Sequence, residues 1–378
     1  MTANGPSNGN ALRVVLLDSI PKWGGGEKWC VEAASALGEM GHYAVVVCEW
    51  GSPLAERSRD AGVETWAAPL AGARGIISAV RLGFFLREKK IEAVIGNVGH
   101  DLLIGAIACR ISGARLLQRR GLVRPVKPGL FHRWLYTRNV QKIIVNSNAI
   151  RDRMLSSVDF LDPSRFALIP NGIDVSSRIR ADTKEDTENA RAALGFGATG
   201  PLVAAIGRLA EMKGLAHLLR AWPLVRSSVP DARLLVVGEG EEERALKALA
   251  VELRLGDSVQ FLGFRRDVGD LLDAIDLIVL PSVRDEGCSN TLLEAMWHGK
   301  PAVVTRCGGL PSVVENGAQG IVVEIGDEDG LGKAIARLLT DERERGRMGA
   351  AARRAIEEKF TRDGAARMLV SLLLSLRA

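Results

Sequence analysis

One stretch restricts the fold of this chain more than any other, Leu277 to Thr305, which reads LIVLPSVRDEGCSNTLLEAMWHGKPAVVT. Its first residues, Leu277 to Leu280, are apolar and partly β-branched, which predicts a fully buried strand of a parallel sheet. A polar loop follows the strand, and Ser289 or Asn290 can cap the helix that comes next. A strand, loop and helix of these lengths is the repeating unit of an α/β fold.

Two glutamates mark the loop and the helix of this stretch. Glu286 lies just before the helix N-terminus, and Glu294 lies one turn inside it on the same side as Asn290. Carboxylates accept hydrogen bonds from sugar hydroxyls, and the first backbone N–H groups of a helix bind phosphate. The pattern therefore predicts a pocket for a nucleotide sugar, although an isolated pair of glutamates is more often a pair of solvated charges.

A second candidate phosphate site lies near the N-terminus. The strand RVVLLD is followed by three glycines, Gly24, Gly25 and Gly26, which open a predicted helix. Glycines at this position let a ligand approach the helix N-terminus closely, but they also suit a plain tight turn. Glu27 is interpreted as a first-turn acid that interacts favourably with the helix dipole.

Strand and helix patterns alternate along the rest of the chain. Short apolar runs at residues 44–48, 63–66, 93–97, 115–118, 142–146 and 166–169 are separated by amphipathic helices, and the alternation restarts at Pro201. The 378 residues are enough for two ordinary domains. We expect an α/β protein with two Rossmann-like parallel-sheet domains that face a cleft.

Cations flank the loop after the first strand of the second domain. Gly207 and Arg208 begin this loop, and Lys213 comes just before its helix. Taken alone, both cations are typical surface charges. At the carboxyl end of a first strand, however, they are placed to meet a diphosphate.

The segment EGCSNTLLEAMWHGKPAVVTRCGGLP, from Glu286 to Pro311, closely resembles the signature of the retaining family 4 glycosyltransferases of the GT-B fold. The resemblance covers nearly the whole chain after residue 10. It implies a hexosyl or related transferase that uses a nucleotide diphosphate sugar as co-substrate and needs neither a further cofactor nor a metal. Ser312 departs from the family pattern, because many relatives have glutamate there.

The resemblance also implies the roles of individual residues. Glu286, His100, Arg208 and Lys213 are the implied catalytic residues; His100, taken alone, is more often a capping or packing residue. The implied donor-binding residues are Gly24, Gly25, Gly26, Gly207, Arg208, Lys213, Gly263, Phe264, Arg265, Glu286, Gly287, Cys288, Ser289, Asn290, Thr291 and Glu294.

The expected domain boundaries follow from the same comparison and from composition. Residues 176–199 are polar and charged and are interpreted as an interdomain linker. The complete expectation is a flexible N-terminus (1–10), an acceptor domain (11–175), the linker (176–199), a donor domain (200–355) and a C-terminal helix packing back on the first domain (356–378).

A basic and aromatic segment stands out in the first domain. Between Arg115 and Arg153 there are ten Lys or Arg residues and one acidic residue, Asp152, although the whole chain carries a net charge of only +5. Such a segment suits an anionic membrane surface or a phosphorylated acceptor, and a solvated basic loop is the alternative. The candidate acceptor or membrane residues are Arg119, Arg120, Arg124, Lys127 and Trp134.

Composition limits the location and the partners. The five cysteines are widely spaced with no CxxC, which favours a reducing cytoplasm over a disulfide or zinc framework. The polar N-terminus lacks a signal-peptide core, and no apolar run is long enough to cross a membrane. We expect a cytoplasmic protein, peripheral at most on the inner face of the membrane, with a nucleotide sugar and a glycan or lipid-linked acceptor as partners and no nucleic acid. Asp327–Asp329 contains a D-x-D pattern, interpreted as a helix cap and not as a metal site.

Two alternatives to glycosyl transfer stay open at this point. One is a nucleotide-sugar epimerase or phosphorylase on the same architecture. The other is a non-catalytic module that binds an anionic surface through the basic segment. The residue roles that the resemblance implies favour sugar transfer, in polysaccharide or lipopolysaccharide biosynthesis, over both alternatives.

Overall fold

A computed structural model describes residues 11–176, 183–196 and 200–377. The chain divides into two compact units: residues 1–171 with 362–378, and residues 172–361. Each unit contains one parallel sheet with helices on both faces. The predicted fold class, an α/β protein with two parallel-sheet domains, is confirmed.

The first unit has a seven-stranded parallel sheet with the strand order β3-β2-β1-β4-β5-β6-β7. Its strands are β1 (Arg13–Asp18), β2 (Tyr43–Glu49), β3 (Glu64–Ala68), β4 (Ala93–Gly96), β5 (Arg115–Arg120), β6 (Val140–Val145) and β7 (Phe166–Leu168). The central strands are apolar on both faces because helices cover both. In β1, Val15 and Leu17 pack into one core, whereas Val14 and Leu16 pack into the other.

The helices between these strands form the two outer layers of the first unit. They are α1 (Gly25–Glu39), α2 (Pro53–Asp60), α3 (Gly72–Glu88), α4 (Gly99–Ser112), α5 (Leu130–Arg138) and α6 (Asn148–Leu155). Residues of α3, α4, α5 and α6 share one core, and residues of α1 and α2 share the other. The first sheet therefore displays α3, α4 and α5 on the same face, with α4 in contact with both of the others.

The second unit repeats the design with a six-stranded parallel sheet of order β10-β9-β8-β11-β12-β13. Its strands are β8 (Leu202–Ile206), β9 (Arg233–Val237), β10 (Val259–Gly263), β11 (Leu277–Leu280), β12 (Ala302–Thr305) and β13 (Gly320–Val323). Its helices are α7 (Lys184–Ala193), α8 (Leu215–Ser228), α9 (Glu243–Glu252), α10 (Val268–Ala274), α11 (Asn290–Trp297), α12 (Glu328–Thr340) and α13 (Glu342–Lys359). The predicted buried strand at 277–280 is β11, and the predicted helix after it is α11.

The interpretation of residues 176–199 as a linker is wrong for the part that the structure describes. Helix α7 lies within it, and the Arg191 guanidinium bonds to the Asp276 carboxylate at 2.6 Å and to the Ala274 carbonyl at 2.8 Å. Phe196 is also buried in the core of the second unit. Polar composition suggested a linker, but a charged helix can still pack through one arginine and one aromatic side chain. Residues 177–182 and 197–199 lie outside the described residues.

The C-terminal boundary also differs from the expectation of a single helix over 356–378. Helix α13 continues to Lys359 within the second unit, and a separate helix, α14 (Arg362–Ser375), belongs to the first unit. Leu369 and Leu373 of α14 are buried in the core that α1 shares, whereas Met368 is 44% exposed. The break at residues 360–361 lets the chain end in the other unit.

Two further predictions, the role of the D-x-D pattern at residues 327–329 and the lack of a membrane-spanning segment, can be compared with the structure. The Asp327 carboxylate accepts a hydrogen bond from the Gly330 N–H at 2.8 Å, so the D-x-D pattern caps α12 as predicted. Among the helices in the described part of the chain, none combines the length and the apolarity that a bilayer crossing requires.

Candidate active site

Each sheet has one strand at which the chain order reverses. In the second sheet β8 lies between β9 and β11, and in the first sheet β1 lies between β2 and β4. Open parallel sheets bind ligands beyond the carboxyl ends of the strands at such switch points. The expected ligand-binding positions are therefore the loops after β8 and β11 in the second unit and those after β1 and β4 in the first.

In the second unit the switch point holds a close ion pair. The Lys213 ammonium lies 2.6 Å from a carboxylate oxygen of Glu286, and the Ser282 hydroxyl donates to the same oxygen at 3.0 Å. Glu286 is buried, with 6% of its surface exposed, whereas the Lys213 side chain keeps 26% exposure. The structure thus brings together two residues that are 73 positions apart and that the sequence predicted to share a site.

The backbone of the two loops holds this pair in place. Gly214 has φ of +65°, and a Cβ on it would lie 2.0 Å from the Pro281 carbonyl oxygen, so only glycine fits. The Val283 N–H donates to the Met212 carbonyl at 2.9 Å, which ties the loop after β8 to the loop after β11. Asp285, directly before Glu286, has φ of +60°, a strained conformation for a residue with a side chain.

Helix α11 begins where the sequence predicted. The Ser289 hydroxyl accepts from the Leu292 N–H at 3.4 Å and caps the helix, and Glu294 is 7% exposed. Asn290 and Thr291 are half-buried at the first turn, beside this cap. Cys288, predicted to bind the donor, packs into the apolar core with 5% exposure, so only its backbone can contact a ligand.

The remaining predicted donor residues of the second unit lie in the loops after β8 and β10. Arg208 is paired with the Glu241 carboxylate at 3.0 Å and keeps 69% of its side chain exposed. Gly207 lies next to the Lys213 side chain. Phe264 is 59% exposed, and Arg265 pairs with Asp267.

In the first unit the switch point holds a buried network of polar side chains. The Asn97 amide donates to an Asp18 carboxylate oxygen at 2.6 Å, and the Arg119 guanidinium donates to the Asn97 and Asn171 carbonyl oxygens at 2.8 Å each. The guanidinium also stacks on the Trp29 ring at 4.3 Å. This network joins the carboxyl ends of β1, β4 and β5 to the turn after β7.

The predicted glycine loop lies over this network. A Cβ on Gly26 would come within 2.5 Å of the Asn97 amide nitrogen, so the third glycine is required by close packing. Gly25 begins α1, and Gly24 is its extended N-cap. Glu27 lies in the first turn of α1 as predicted, but its side chain is buried beside Asp18, which the sequence did not indicate.

Three carboxyl groups, those of Asp18, Glu27 and Asp101, are buried near one another here. Burial and the nearby charge of Asp18 raise the pKa of Glu27 from 4.5 to about 7. The same two causes raise the pKa of Asp101 to about 8, although the N–H groups of Ser19, Asn97 and Val98 donate to its carboxyl group. Burial also raises the pKa of Asp18, although hydrogen bonds, including one from Asn97, oppose the rise. The cluster therefore holds protons at a pH where exposed carboxyl groups have lost theirs.

We expect the free energy of unfolding to fall as the pH rises, and Glu27→Gln to reduce this dependence. Between its ordinary value of 4.5 and about 7, Glu27 is protonated when folded and ionised when unfolded. The folded state then binds more protons, so stability declines through this range and levels off above it. Between pH 5 and pH 8 the wild-type protein should lose about 2 kcal/mol more than the variant in urea titrations.

The control for this prediction is Glu32→Gln, on the same helix. Glu32 pairs with Lys28 at 3.7 Å near the surface, so its loss should leave the pH profile parallel to that of the wild type. A profile for Glu27→Gln that also runs parallel to that of the wild type would contradict the raised pKa of Glu27 in the folded state.

The structure separates Arg119 from the other predicted acceptor or membrane residues. Arg119 is only 3% exposed and belongs to the buried network, so it does not lie on the surface that a membrane would contact. It lies on the inward side of β5, a position that a count of basic residues does not reveal. Arg124, Lys127 and Trp134 are exposed, and the Arg120 guanidinium donates to the Arg124 carbonyl at 2.8 Å.

His100 is the second residue of α4 and is exposed, with its Nε2 atom 2.9 Å from the Leu70 carbonyl oxygen. The remaining buried residues at this point, Asp18, Asn97 and Asp101, were not predicted as site residues. A signal was present in the sequence, because Asp18 and Asn97 are polar residues at the ends of otherwise apolar strand runs.

Ser282, in the second unit, was not predicted as a site residue, because a single serine in a loop matches no sequence pattern.

Two family models match the chain, one in each half. The model described as glycosyltransferase family 4 matches residues 23–177, and the model described as glycosyl transferases group 1 matches residues 186–355. The chain belongs to glycosyltransferase family 4. The two halves of this family 4 member thus correspond to its two sheets, and the suspected family is confirmed.

Curated relatives of this family 4 member come from several bacteria. A GDP-mannose-dependent monoacylated alpha-(1-6)-phosphatidylinositol monomannoside mannosyltransferase of Corynebacterium glutamicum is 35% identical, over 56% of each chain. The lipopolysaccharide core biosynthesis glycosyltransferase LpsE of Rhizobium meliloti is 29% identical over 64% of this chain. The chain spans 56% of the first relative's length and 66% of the second's.

Solved structures agree with the fold over nearly all of the family 4 chain. Anabaena Alr3699/HepE, in complex with UDP and glucose, superposes with a TM-score of 0.83 over 96% of this chain and 100% of its own, at 22% identity. WaaG, a glycosyltransferase involved in lipopolysaccharide biosynthesis, superposes with a TM-score of 0.70 over 95% of this chain and 99% of its own, at 19% identity. These likenesses show the GT-B fold.

Proposed function

We propose that this protein transfers a sugar from a nucleotide diphosphate donor to a hydroxyl group of a glycan, lipid-linked or envelope-glycoconjugate acceptor, with retention at the anomeric carbon. The observation that carries the proposal is the Lys213–Glu286 pair, 2.6 Å apart at the switch point of the second sheet. A buried carboxylate beside a cation is suited to a ligand that has both hydroxyls and phosphates. Family membership makes a sugar donor the natural occupant.

The second unit is proposed to hold the donor. Glu286 accepts hydrogen bonds from hydroxyls of the transferred sugar, and Glu294 accepts from the ribose hydroxyls. The N-terminus of α11, from Gly287 to Thr291, presents backbone N–H groups to the diphosphate. Gly263, Phe264 and Arg265 border the nucleobase, and the exposure of Phe264 supports this placement because a free aromatic face can stack on a base.

The proposed reaction breaks one bond and forms one. The bond between the anomeric carbon and the diphosphate oxygen breaks, and the acceptor oxygen bonds to that carbon on the same face. The acceptor proton passes to the departing diphosphate, which leaves as a nucleoside diphosphate. Lys213 and Arg208 stabilise the charge that develops on this leaving group, so we propose that no metal ion takes part.

The first unit is proposed to hold the acceptor. The loop Gly24–Gly26 of the same unit was predicted to bind the donor, and it is proposed to supply N–H groups to a donor phosphate. His100 is proposed as a catalytic residue. The half-buried Arg120 and the exposed residues Arg124, Lys127 and Trp134 suit an acceptor that carries a phosphate and an apolar portion. The same segment is also suited to anionic headgroups at the inner face of the cytoplasmic membrane.

The relatives support this class of acceptor. The Corynebacterium relative acts on a phosphatidylinositol monomannoside, and the Rhizobium relative acts in lipopolysaccharide core biosynthesis. A third relative, from Escherichia coli, is a UDP-Gal:alpha-D-GlcNAc-diphosphoundecaprenol alpha-1,3-galactosyltransferase, 25% identical over 78% of this chain and 80% of its own. All three names describe envelope or lipid-linked glycans, so such an acceptor is the first to test.

The test begins with a panel of nucleotide diphosphate sugars screened by thermal shift, because a bound donor stabilises the folded state by mass action. The donor that binds is then incubated with phosphorylated lipid-linked acceptors, with and without EDTA. The proposal requires a glycoside product whose anomeric configuration, read from NMR coupling constants, is that of the donor. Activity abolished by EDTA and restored by a divalent metal would overturn the metal-independent part.

The alternatives give different products in the same assay. An epimerase would change the donor sugar without an acceptor, and a phosphorylase would release a sugar phosphate in the presence of inorganic phosphate. A non-catalytic module would bind anionic vesicles and convert no donor. The buried position of Glu286 beside Lys213 favours an enzyme over a non-catalytic module, because a vestigial site has no reason to retain this charge pair.

A further inference from the structure

Helix α3 of the first unit carries apolar side chains on its outer face. Four large ones are exposed: Ile76 by 56%, Ile77 by 63%, Val80 by 39% and Phe84 by 60%. The inner face of the same helix is separately buried, with Ala79, Leu82 and Leu86 in the core. Helix α3 is therefore apolar on both sides, unlike an ordinary surface helix, which is polar outside.

The exposed residues form one continuous stripe, defined here as Ile76, Ile77, Val80 and Phe84. Positions 76, 80 and 84 are spaced by four residues, and position 77 lies one row beside them, so all four share a face about 12 Å long. A contiguous exposed apolar patch of this kind is a mark of an interaction surface, because leaving it in water is unfavourable.

The charges around the stripe indicate what covers it. The exposed charged side chains of α3 are Arg74, Arg81, Arg87 and Glu88, and Lys90 follows the helix. Within the described part of the chain no ion pair involves any of these four cations. An apolar stripe bordered by unpaired cations is suited to the surface of an anionic bilayer.

We propose that the outer face of α3 docks on an anionic lipid bilayer, with the stripe at the level of the headgroups and the arginines on lipid phosphates. A second copy of the chain fits this surface less well. In a two-fold pair of α3 helices Val80, at the centre of the stripe, would meet its own copy, and the adjacent Arg81 side chains would then repel each other.

A second apolar region lies on the same face of the first sheet. Leu130, Phe131 and Trp134 at the start of α5 are exposed by 85%, 51% and 40%. Helix α4 contacts both α3 and α5, so the two regions flank it on one helix layer. A single bilayer surface can therefore meet both, and this gives α3 a role that is independent of which donor or acceptor the protein uses.

The test measures binding of the full-length protein to sedimented vesicles. Wild type should bind vesicles containing about half phosphatidylglycerol and should bind pure phosphatidylcholine at least about tenfold more weakly, since each cation near an anionic surface contributes about fivefold. The double variant Ile77→Asp/Phe84→Asp should lose about tenfold or more in affinity for the anionic vesicles. The matched control is Val251→Asp on α9 of the second unit, an exposed apolar residue at 79%, which should change binding by less than about twofold.

A second double variant, Ile76→Asp/Val80→Asp, repeats the test if the first one folds poorly, as judged by its melting temperature. Hydrolysis of the donor in lipid-free solution should be the same in wild type and variants, which separates this proposal from the proposed function. Unchanged vesicle binding in both variants would overturn the proposal. A wild-type dimer in light scattering that the stripe variants convert to a monomer would overturn it too, because a second copy would then cover the stripe.

Discussion

Glu286→Gln is expected to lower kcat/KM for sugar transfer by about 10²–10³-fold, while the fold stays intact. In the proposed site the Glu286 carboxylate accepts hydrogen bonds from hydroxyls of the transferred sugar. A glutamine amide keeps one acceptor oxygen but turns its NH₂ group toward the Lys213 ammonium, 2.6 Å away, or toward the Ser282 hydroxyl. The variant therefore has a weaker hydrogen bond to the sugar, and its Lys213 ammonium is no longer held in position.

The effect should be confined to the sugar and the leaving group. Binding of the nucleoside diphosphate alone, measured by calorimetry, should change by less than about threefold in Glu286→Gln, because the nucleotide keeps its other contacts. Glu294→Gln should show the opposite pattern. It should weaken nucleoside diphosphate binding by about tenfold, since it removes a charged acceptor for the ribose hydroxyls.

A matched ion pair elsewhere in the second unit supplies the control. Glu324 pairs with Arg306 at 2.7 Å, but its side chain is 67% exposed, so Glu324→Gln should leave kcat/KM within about twofold of the wild type. If Glu286→Gln retained full transfer activity, Glu286 would not contact the reacting sugar. If the melting temperature of Glu286→Gln fell in proportion to its activity, the pair with Lys213 would stabilise the fold and would not act on the substrate.

The extent to which the sequence predicts the site differs between the two units. In the second unit a continuous motif, from Glu286 to Pro311, carries the information, and its Glu286 meets Lys213 as predicted. The loop after β8 and the loop after β11 belong to adjacent strands, so the order of strands in a doubly wound sheet is sufficient to bring them together.

In the first unit the sequence predicts the strands but not the buried charges. Glu27, Asp101 and Arg119 all look like solvent-exposed charges in a sequence, because nothing local distinguishes a helix-start acid that turns inward from one that turns outward. Their burial depends on how the ends of β1, β4 and β5 converge, because Asp18, Asn97 and Arg119 lie at those three strand ends. This convergence is a property of the sheet register, which a linear pattern does not specify.

The linker and the basic segment were misread for a related reason. Composition describes an average over a segment, whereas burial is decided residue by residue. Arg191 and Phe196 anchor a charged stretch to the second unit, and Arg119 points into the first unit although its neighbour Arg120 lies at the surface. In a strand, adjacent side chains point to opposite faces, so the two arginines at the end of β5 enter different surroundings.

Arg119→Met is expected to destabilise the protein by about 3–5 kcal/mol at neutral pH. Methionine matches the length of the arginine stem but removes the positive charge that favours the ionised form of the buried Asp18. It also removes the 2.8 Å donors to the carbonyl oxygens of Asn97 and Asn171, of which Asn171 keeps a longer bond from the Asn146 amide, at 3.3 Å. The cost is large because buried acceptors and a buried carboxylate lose their partner together.

The neighbouring Arg120→Met provides the matched control. Arg120 lies on the same strand, and its guanidinium donates to the Arg124 carbonyl near the surface, so this variant should lose no more than about 1 kcal/mol. Urea titrations of both variants measure the comparison directly. A loss below about 1 kcal/mol in Arg119→Met would show that the carboxyl groups do not depend on this cation.

The pH dependence of the same variant identifies the cause of the loss. Without Arg119 the buried carboxyl groups gain more from protonation, so the difference from wild type should shrink as the pH falls from 8 to 5, while a loss due only to packing with Trp29 would be independent of pH. Arg119→Lys should recover only part of the stability, because a single ammonium cannot donate to Asn97 and Asn171 while stacking on the indole. Recovery of full stability by lysine would mean that charge alone suffices and that the planar, forked geometry of the guanidinium is not what joins the strands at this switch point.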